Sequence, residues 1–189
     1  MTARELAAER TRDALLDAGL RVAEQASLAG MSVNRVVAAA GVAKGTFYVH
    51  FPDRGAFLGA LHARFHEHVS RAVLQAIEGM PPGRARLQHG MRTYLDACLL
   101  ARGVKALLLE ARNDESVADQ VASRNDAFAQ LAAPDLQAMG WDPAAPAARL
   151  LIAMAAETAL VELPLRRADP TTRDALWELV ARADRSDNR

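Results

Sequence analysis

Between Lys44 and His50 the sequence KGTFYVH sets Lys44, Thr46, Tyr48 and His50 along one short segment. All four can donate hydrogen bonds to phosphate oxygens or base edges, which is the chemistry of nucleic-acid recognition. Phe47 and Phe51, four apart, share another face and can anchor the segment inward. Gly45 is a poor helix former, but it removes a side chain where the backbone must approach something closely. The plainer reading is a helical hairpin whose polar residues are only solvated, with His50 as a cation at a helix end.

Two further groupings could do chemistry. His62 and His66 stand four apart with Glu67 and His68 beside them, which is metal-ligand spacing on a helix face. The order is not that of the HExxH motif, and a surface histidine cluster is the commoner arrangement. His89 or Cys98 could complete a site only by tertiary contact. Cys98 with His89 could in principle serve as nucleophile and base, but a lone cysteine amid Leu and Ala reads as an inert core residue. No metal or other cofactor is expected.

The elements that must hold residues 44–50 are legible on either side. Ser32 is a good N-cap, and Val33, Val36, Val37 and Ala40 follow at helical spacing. Gly41 stops that helix by tolerating a left-handed backbone, with Val42 plugging the corner. A second helix from about Ala43 to Phe51 ends at Pro52, and Asp53 caps a third, longer one. Two short helices across a glycine turn describe a helix-turn-helix, whose second helix enters the DNA major groove.

The run GVAKGTFYVHFPDRGAFLGAL resembles the signature of the TetR family of bacterial transcription regulators, over roughly residues 10 to 61. The resemblance implies a DNA surface of Lys44, Gly45, Thr46, Tyr48 and His50, joined by Ser32 and Asn34, with Arg54 on a phosphate. It also implies a repressor, released from a palindromic operator in double-stranded DNA by a small-molecule effector. Three positions depart from the pattern. Ala43 replaces the usual serine and loses a cap worth about 1 kcal/mol. Arg54 replaces lysine, changing a point donor to a fork. Gly55 stands where glutamate is common.

Lys+Arg and Asp+Glu both number 23, so the formal net charge is zero and no global basic field drives DNA binding. Contact must rest on local charge, for which Arg4, Arg10, Arg12, Arg35, Lys44 and Arg54 are candidates. Glu5, Glu9, Asp13 and Asp17 offset them in sum but can face another way. One cysteine excludes an intramolecular disulfide and suits a reducing compartment. Charges interrupt the N-terminus and the longest uncharged apolar run, 150–156, is too short for a bilayer, so a cytoplasmic protein without membrane contact is expected.

Helical periodicity predicts an all-α chain of about nine helices. A helix-turn-helix domain, 1–54, is expected ahead of an effector-binding and dimerisation domain, 55–189. The first helix spans Arg4 to Ser27 with Leu15, Ala18, Val22 and Ala26 on one face. The segment before Arg12 reads either as an arm ordered on DNA or as an ordinary helix start. The third signature helix continues to about Glu78, with Phe57, Leu58, Leu61, Phe65, Val69, Val73, Leu74 and Ile77 in period. A helix from Arg84 to Ala101 is expected to end at Gly103. A short one follows from Val104 to Ala111. Asp114 then caps a long helix that Pro134 kinks or ends. Asp142–Pro143 and Asp169–Pro170 each read as N-cap and first helical position. The tail from Asp184 is expected to be disordered.

The last two long helices are apolar most of the way round, and alanines let a partner approach, so a symmetric dimer is expected through them. The resemblance implies the same pairing and a small-molecule pocket, and the effector is expected to be apolar. Candidate lining residues are Met91, Tyr94, Cys98, Leu107, Phe128, Trp141, Met154 and Val161, with Glu110, Arg112 or Glu157 as polar anchors.

Overall fold

The computed structural model describes residues 2–25, 30–110 and 115–182, with side chains for all but 107–110, 115–120 and 182. Among the described residues there are nine helices and no strand: α1 (Ala3–Ala23), α2 (Val33–Ala40), α3 (Lys44–His50), α4 (Arg54–Ala76), α5 (Arg84–Leu100), α6 (Arg102–Glu110), α7 (Glu115–Ala138), α8 (Ala144–Leu165) and α9 (Pro170–Arg182). They divide into two compact units, Met1–Glu67 with Gly103–Gln120, and His68–Arg102 with Val121–Arg189.

In the first unit the local chemistry sets the helix ends. Thr2 and Glu5 form a capping box at the start of α1. Ser32 accepts from the Arg35 N–H to start α2. Gly41, with φ 71°, closes α2 as its own N–H reaches the Ala38 carbonyl and the Val42 N–H reaches that of Val37. Asp53 Oδ1 accepts from the Ala56 N–H at 2.7 Å and caps α4. Phe47, Phe51 and Phe57 form the centre of the hairpin, their ring centroids 5.1 to 5.5 Å apart. The expected boundary at Arg54 is the first residue of α4, yet the unit extends to Glu67. Phe57 and Leu61 lie against Gly19 of α1, and Arg64 pairs with Asp13 and Asp17 at 3.1 Å each.

In the second unit α8 packs on α5 and α9. Its fully buried Glu162 receives Arg173 of α9 through two hydrogen bonds, 2.6 and 2.9 Å, and Arg173 also reaches Asp96 of α5 at 2.8 Å. These carboxylates hold the guanidinium above its ordinary pKa, hydrogen bonding to Glu162 being the main cause. By length and composition α8 could cross a membrane; here one face of it is buried, along Ala148, Leu151, Ala155, Ala159 and Glu162.

Several expectations are corrected. The helix α1 ends at Ala23, four residues short of Ser27, and 26–29 lie outside the described residues. Gly103 does not stop α5, which ends at Leu100; it sits in the first turn of α6. Lacking a Cβ, it fits against the Ala23–Glu24 backbone, where a Cβ would come within 2.5 Å of Glu24 Cα. Pro134 does not end α7. Both Pro134 and Gln130, whose carbonyl loses its donor, face solvent, so water can replace that bond. Asp142 is not the cap of α8: Pro143 is, with extended backbone (φ −77°, ψ 134°), because the ring fixes φ and leaves ψ free. Leu74 faces outward. Asp169 does cap α9 through the Thr172 N–H. The Asp114 cap and the tail from Asp184 lie outside the described residues.

Candidate DNA-reading surface and effector cavity

The outward face of α3 follows from what its inward face buries. Phe47 is completely buried, so Lys44, Gly45, Tyr48 and Val49 are left exposed, with Thr46 and His50 half-buried at the flanks. The Tyr48 ring packs edge-on against Phe47 at 5.4 Å, which fixes its direction while leaving the hydroxyl free to point outward. Ala43 starts the helix with no side-chain cap. Ser32 and Asn34 are exposed at the start of α2. Ser32 accepts a backbone N–H there, and its hydroxyl hydrogen can still be donated elsewhere.

The cations divide by what already engages them. The Arg12 guanidinium lies 5.2 Å over the Phe51 ring, Arg35 donates to the Gly30 carbonyl at 3.2 Å, and Arg54 Nε donates to the Met31 carbonyl at 3.2 Å. Arg54 thus ties the start of α4 to the loop ahead of α2, a use that suits the fork of arginine. Lys44 is exposed, as are Arg4 and Arg10 on α1. Three of the four acids that offset them in sum are directed elsewhere, Glu5 into the capping box and Asp13 and Asp17 onto Arg64, while Glu9 is exposed.

Gly45 is informative by what it does not touch. A Cβ placed there meets nothing within 4 Å, and its φ is not in the left-handed range. Folding of this chain would be served as well or better by alanine, worth about 0.5 to 1 kcal/mol in a helix.

The histidine cluster is not a surface feature. His62 and His66 are 2% and 5% exposed, their rings 4.5 Å apart on the core side of α4, while Glu67 and His68 are exposed. Among the described residues no three His, Cys, Asp or Glu side chains gather as a metal site. Cys98 is buried and shares a hydrogen bond with Tyr94, whereas His89 is exposed. Nine positions apart on one helix, Cys98 and His89 point in opposite directions, so they form no nucleophile–base pair.

The second unit holds a recess with about 540 Å³ of empty space, water-open volume included, bordered by α4, α5, α7 and α8. Val73, Ile77, Leu87, Met91, Phe128 and Ile152 make its wall mainly apolar, and Tyr94 meets Phe128 edge-on at 5.8 Å. Its polar groups are Tyr94, Arg124, Asn125 and an Arg86–Asp135 ion pair at 3.5 Å. Burial pushes the Tyr94 phenol far up, so it stays a neutral donor, and pushes the Arg124 guanidinium down. Burial also raises Asp135, against the opposing pull of the Gly83 N–H and Arg86.

Of the residues expected to line a pocket, the recess brings together Met91, Tyr94 and Phe128. Cys98 lies behind Tyr94; Trp141, Met154, Glu157 and Val161 are not on its wall, and Glu157 and Val161 face outward from α8. Leu107, Glu110 and Arg112 lie outside the residues with described side chains. Arg86, Arg124, Asn125 and Asp135 also border it, and the sequence pattern does not single them out. Charged side chains on an amphipathic helix read as solvent-facing until the rotation of α5 and α7 is known.

Comparison with known proteins agrees with this geometry. Residues 15–61 match bacterial regulatory proteins of the tetR family. An HTH-type transcriptional repressor, DhaR of Mycobacterium sp. (strain GP1), is 35% identical over 80 residues. The match takes in 41% of this chain and 40% of that repressor, so the chain spans about two fifths of its length. Among solved structures, a transcriptional regulator from Rhodococcus sp. RHA1 superposes with a TM-score of 0.77 at 21% identity, covering 90% of this chain and 94% of that one. The multidrug binding protein EbrR, complexed with imidazole, superposes at 0.72 and 25% identity, covering 90% and 89%.

Proposed function

We propose that this chain, which belongs to the TetR family of bacterial DNA-binding transcriptional regulators, is a homodimeric cytoplasmic repressor that leaves a palindromic operator when a small, mainly apolar molecule fills its second unit. Gly45 carries the reading. It is a glycine inside a helix that the fold does not require, on the exposed face beside Lys44 and Tyr48, where an outside surface can come close. Lys44, Thr46, Tyr48 and His50 then reach bases and phosphates, Ser32 and Asn34 reach the adjoining backbone, and Arg54 braces the loop while facing the same strand.

Dimerisation is supported by the outer face of the last two helices. Leu150 is 67% exposed in the single chain, and Val161, Leu165 and Leu179 are exposed with it. A twin subunit covering that face sets two α3 helices on half-sites about one helical turn, or a multiple, apart. The apolar wall of the recess, with a neutral phenol and a few polar groups, supports an effector of matching character. That the DhaR relative is a transcriptional repressor supports the sign of regulation.

The test is binding to the DNA flanking its own gene, with a salt titration and a ligand panel. A saturable palindromic site is expected, losing affinity steeply with salt as phosphate contacts release counterions. Lys44→Ala and Tyr48→Ala should each weaken it by about 1 to 3 kcal/mol with the dimer intact. Unchanged affinity in both variants would remove α3 from the interface.

A further inference from the structure

Val49 is 80% exposed, far more than the other apolar residues of α3, and it lies on the line of the helix most remote from the core. Residues advance by about 100° around a helix, so Val49 stands about 200° from the buried Phe47. Gly45, four positions earlier, shares that line and presents no side chain. The outermost ridge of α3 is therefore bare at one turn and carries a branched apolar side chain at the next, with Tyr48 and Thr46 on its flanks.

An isolated apolar residue on a surface ordinarily needs no explanation. This one sits on the ridge that leads into the groove if α3 reads DNA, and the inference rests on that reading. Base edges in the major groove present hydrogen-bonding groups and a single apolar one, the C5-methyl of thymine. A valine cannot satisfy any of the former. Its stiff χ1 lets it meet the latter with little loss of side-chain freedom. We infer that Val49 is a specificity-determining residue that reads a thymine methyl in each half-site of the operator, with Gly45 allowing the helix to come close enough for contact.

The experiment starts from duplexes selected out of random sequence by the full-length protein. Each thymine of a half-site is replaced in turn by deoxyuridine, which removes the methyl and leaves base pairing and every hydrogen-bonding group in place. For the wild type, one such position should weaken binding about fourfold, as burial of one methyl does, and on the order of tenfold with both half-sites changed. In Val49→Ala the same substitution should cost clearly less, since the γ-methyls that reach the thymine are already gone. Val49→Ile should keep the sensitivity, and both variants should retain wild-type helix content because the side chain touches solvent. If all uracil duplexes bind within twofold of the parent, if the loss is the same in Val49→Ala, or if the selected half-sites contain no thymine, Val49 reads no methyl although α3 still reads DNA. If selection yields no preferred duplex at all, the DNA-reading proposal falls, and this inference with it.

Discussion

At residue scale, the α3 surface separates what folding needs from what an outside partner needs. Phe47 and Phe51 belong to the first class, because removing either opens a hole in the aromatic cluster with Phe57. On the proposed reading Gly45 belongs to the second. Gly45→Ala is expected to stabilise the fold by about 0.5 to 1 kcal/mol, since no neighbour obstructs the added methyl. The same variant should bind operator more weakly, by the intrusion of that methyl between helix and DNA. Chemical denaturation and a binding titration on one preparation check the pair of outcomes. A variant both more stable and equally tight on DNA would end the case for close approach there.

Elements are held by a few contacts at which substitution is costly. At the start of α6, a methyl on Gly103 would lie 2.5 Å from Glu24 Cα and 2.6 Å from the Ala23 carbonyl oxygen, backbone atoms that cannot swing away. Gly103→Ala is expected to cost about 1 to 3 kcal/mol by overpacking, read as an earlier midpoint in urea. Glu162 is completely buried and bonded to Arg173 and to the Asp169 N–H, so it joins α8 to the start of α9. Glu162→Ala leaves a guanidinium that is 15% exposed with only Asp96 as ionic partner among those contacts. A loss of about 3 to 5 kcal/mol is expected for breaking such a pair, with α9 detaching first in hydrogen exchange. Equal protection of α9 in the variant would show that apolar packing of Leu176 and Val180 suffices.

For the molecule as a whole, the proposed function makes the zero net charge and the outer face of α8 and α9 the conditions of DNA binding. Because Asp13 and Asp17 are turned onto Arg64, the cations near α3 need not be opposed locally by the acids that cancel them in the sum. A single headpiece offers few phosphate contacts, so affinity should depend on two acting together. Leu150→Asp, placed on a side chain 67% exposed in the single chain, is expected to yield a folded monomer in sedimentation. Operator affinity should fall by at least two orders of magnitude as the linked second contact is lost. A dimer that persists in this variant would place the subunit contact elsewhere.

The amino-acid sequence by itself determined the helix-turn-helix, because its signals act within a few residues. Ser32 caps, Gly41 turns left-handed, Pro52 and Asp53 punctuate, and Phe47 and Phe51 mark the face that goes in. Each is a local steric or hydrogen-bonding fact that tertiary packing had no reason to override. The tertiary structure decided what depends on how helices rotate against one another. Only in the fold do His62 and His66 turn inward, Gly103 become a point of contact instead of a stop, and Arg86, Arg124 and Asp135 reach a recess that Trp141 and Met154 do not border. Periodicity gives the width of an apolar stripe but not its rotation to within one residue, and one residue, about 100°, separates a cavity wall from solvent.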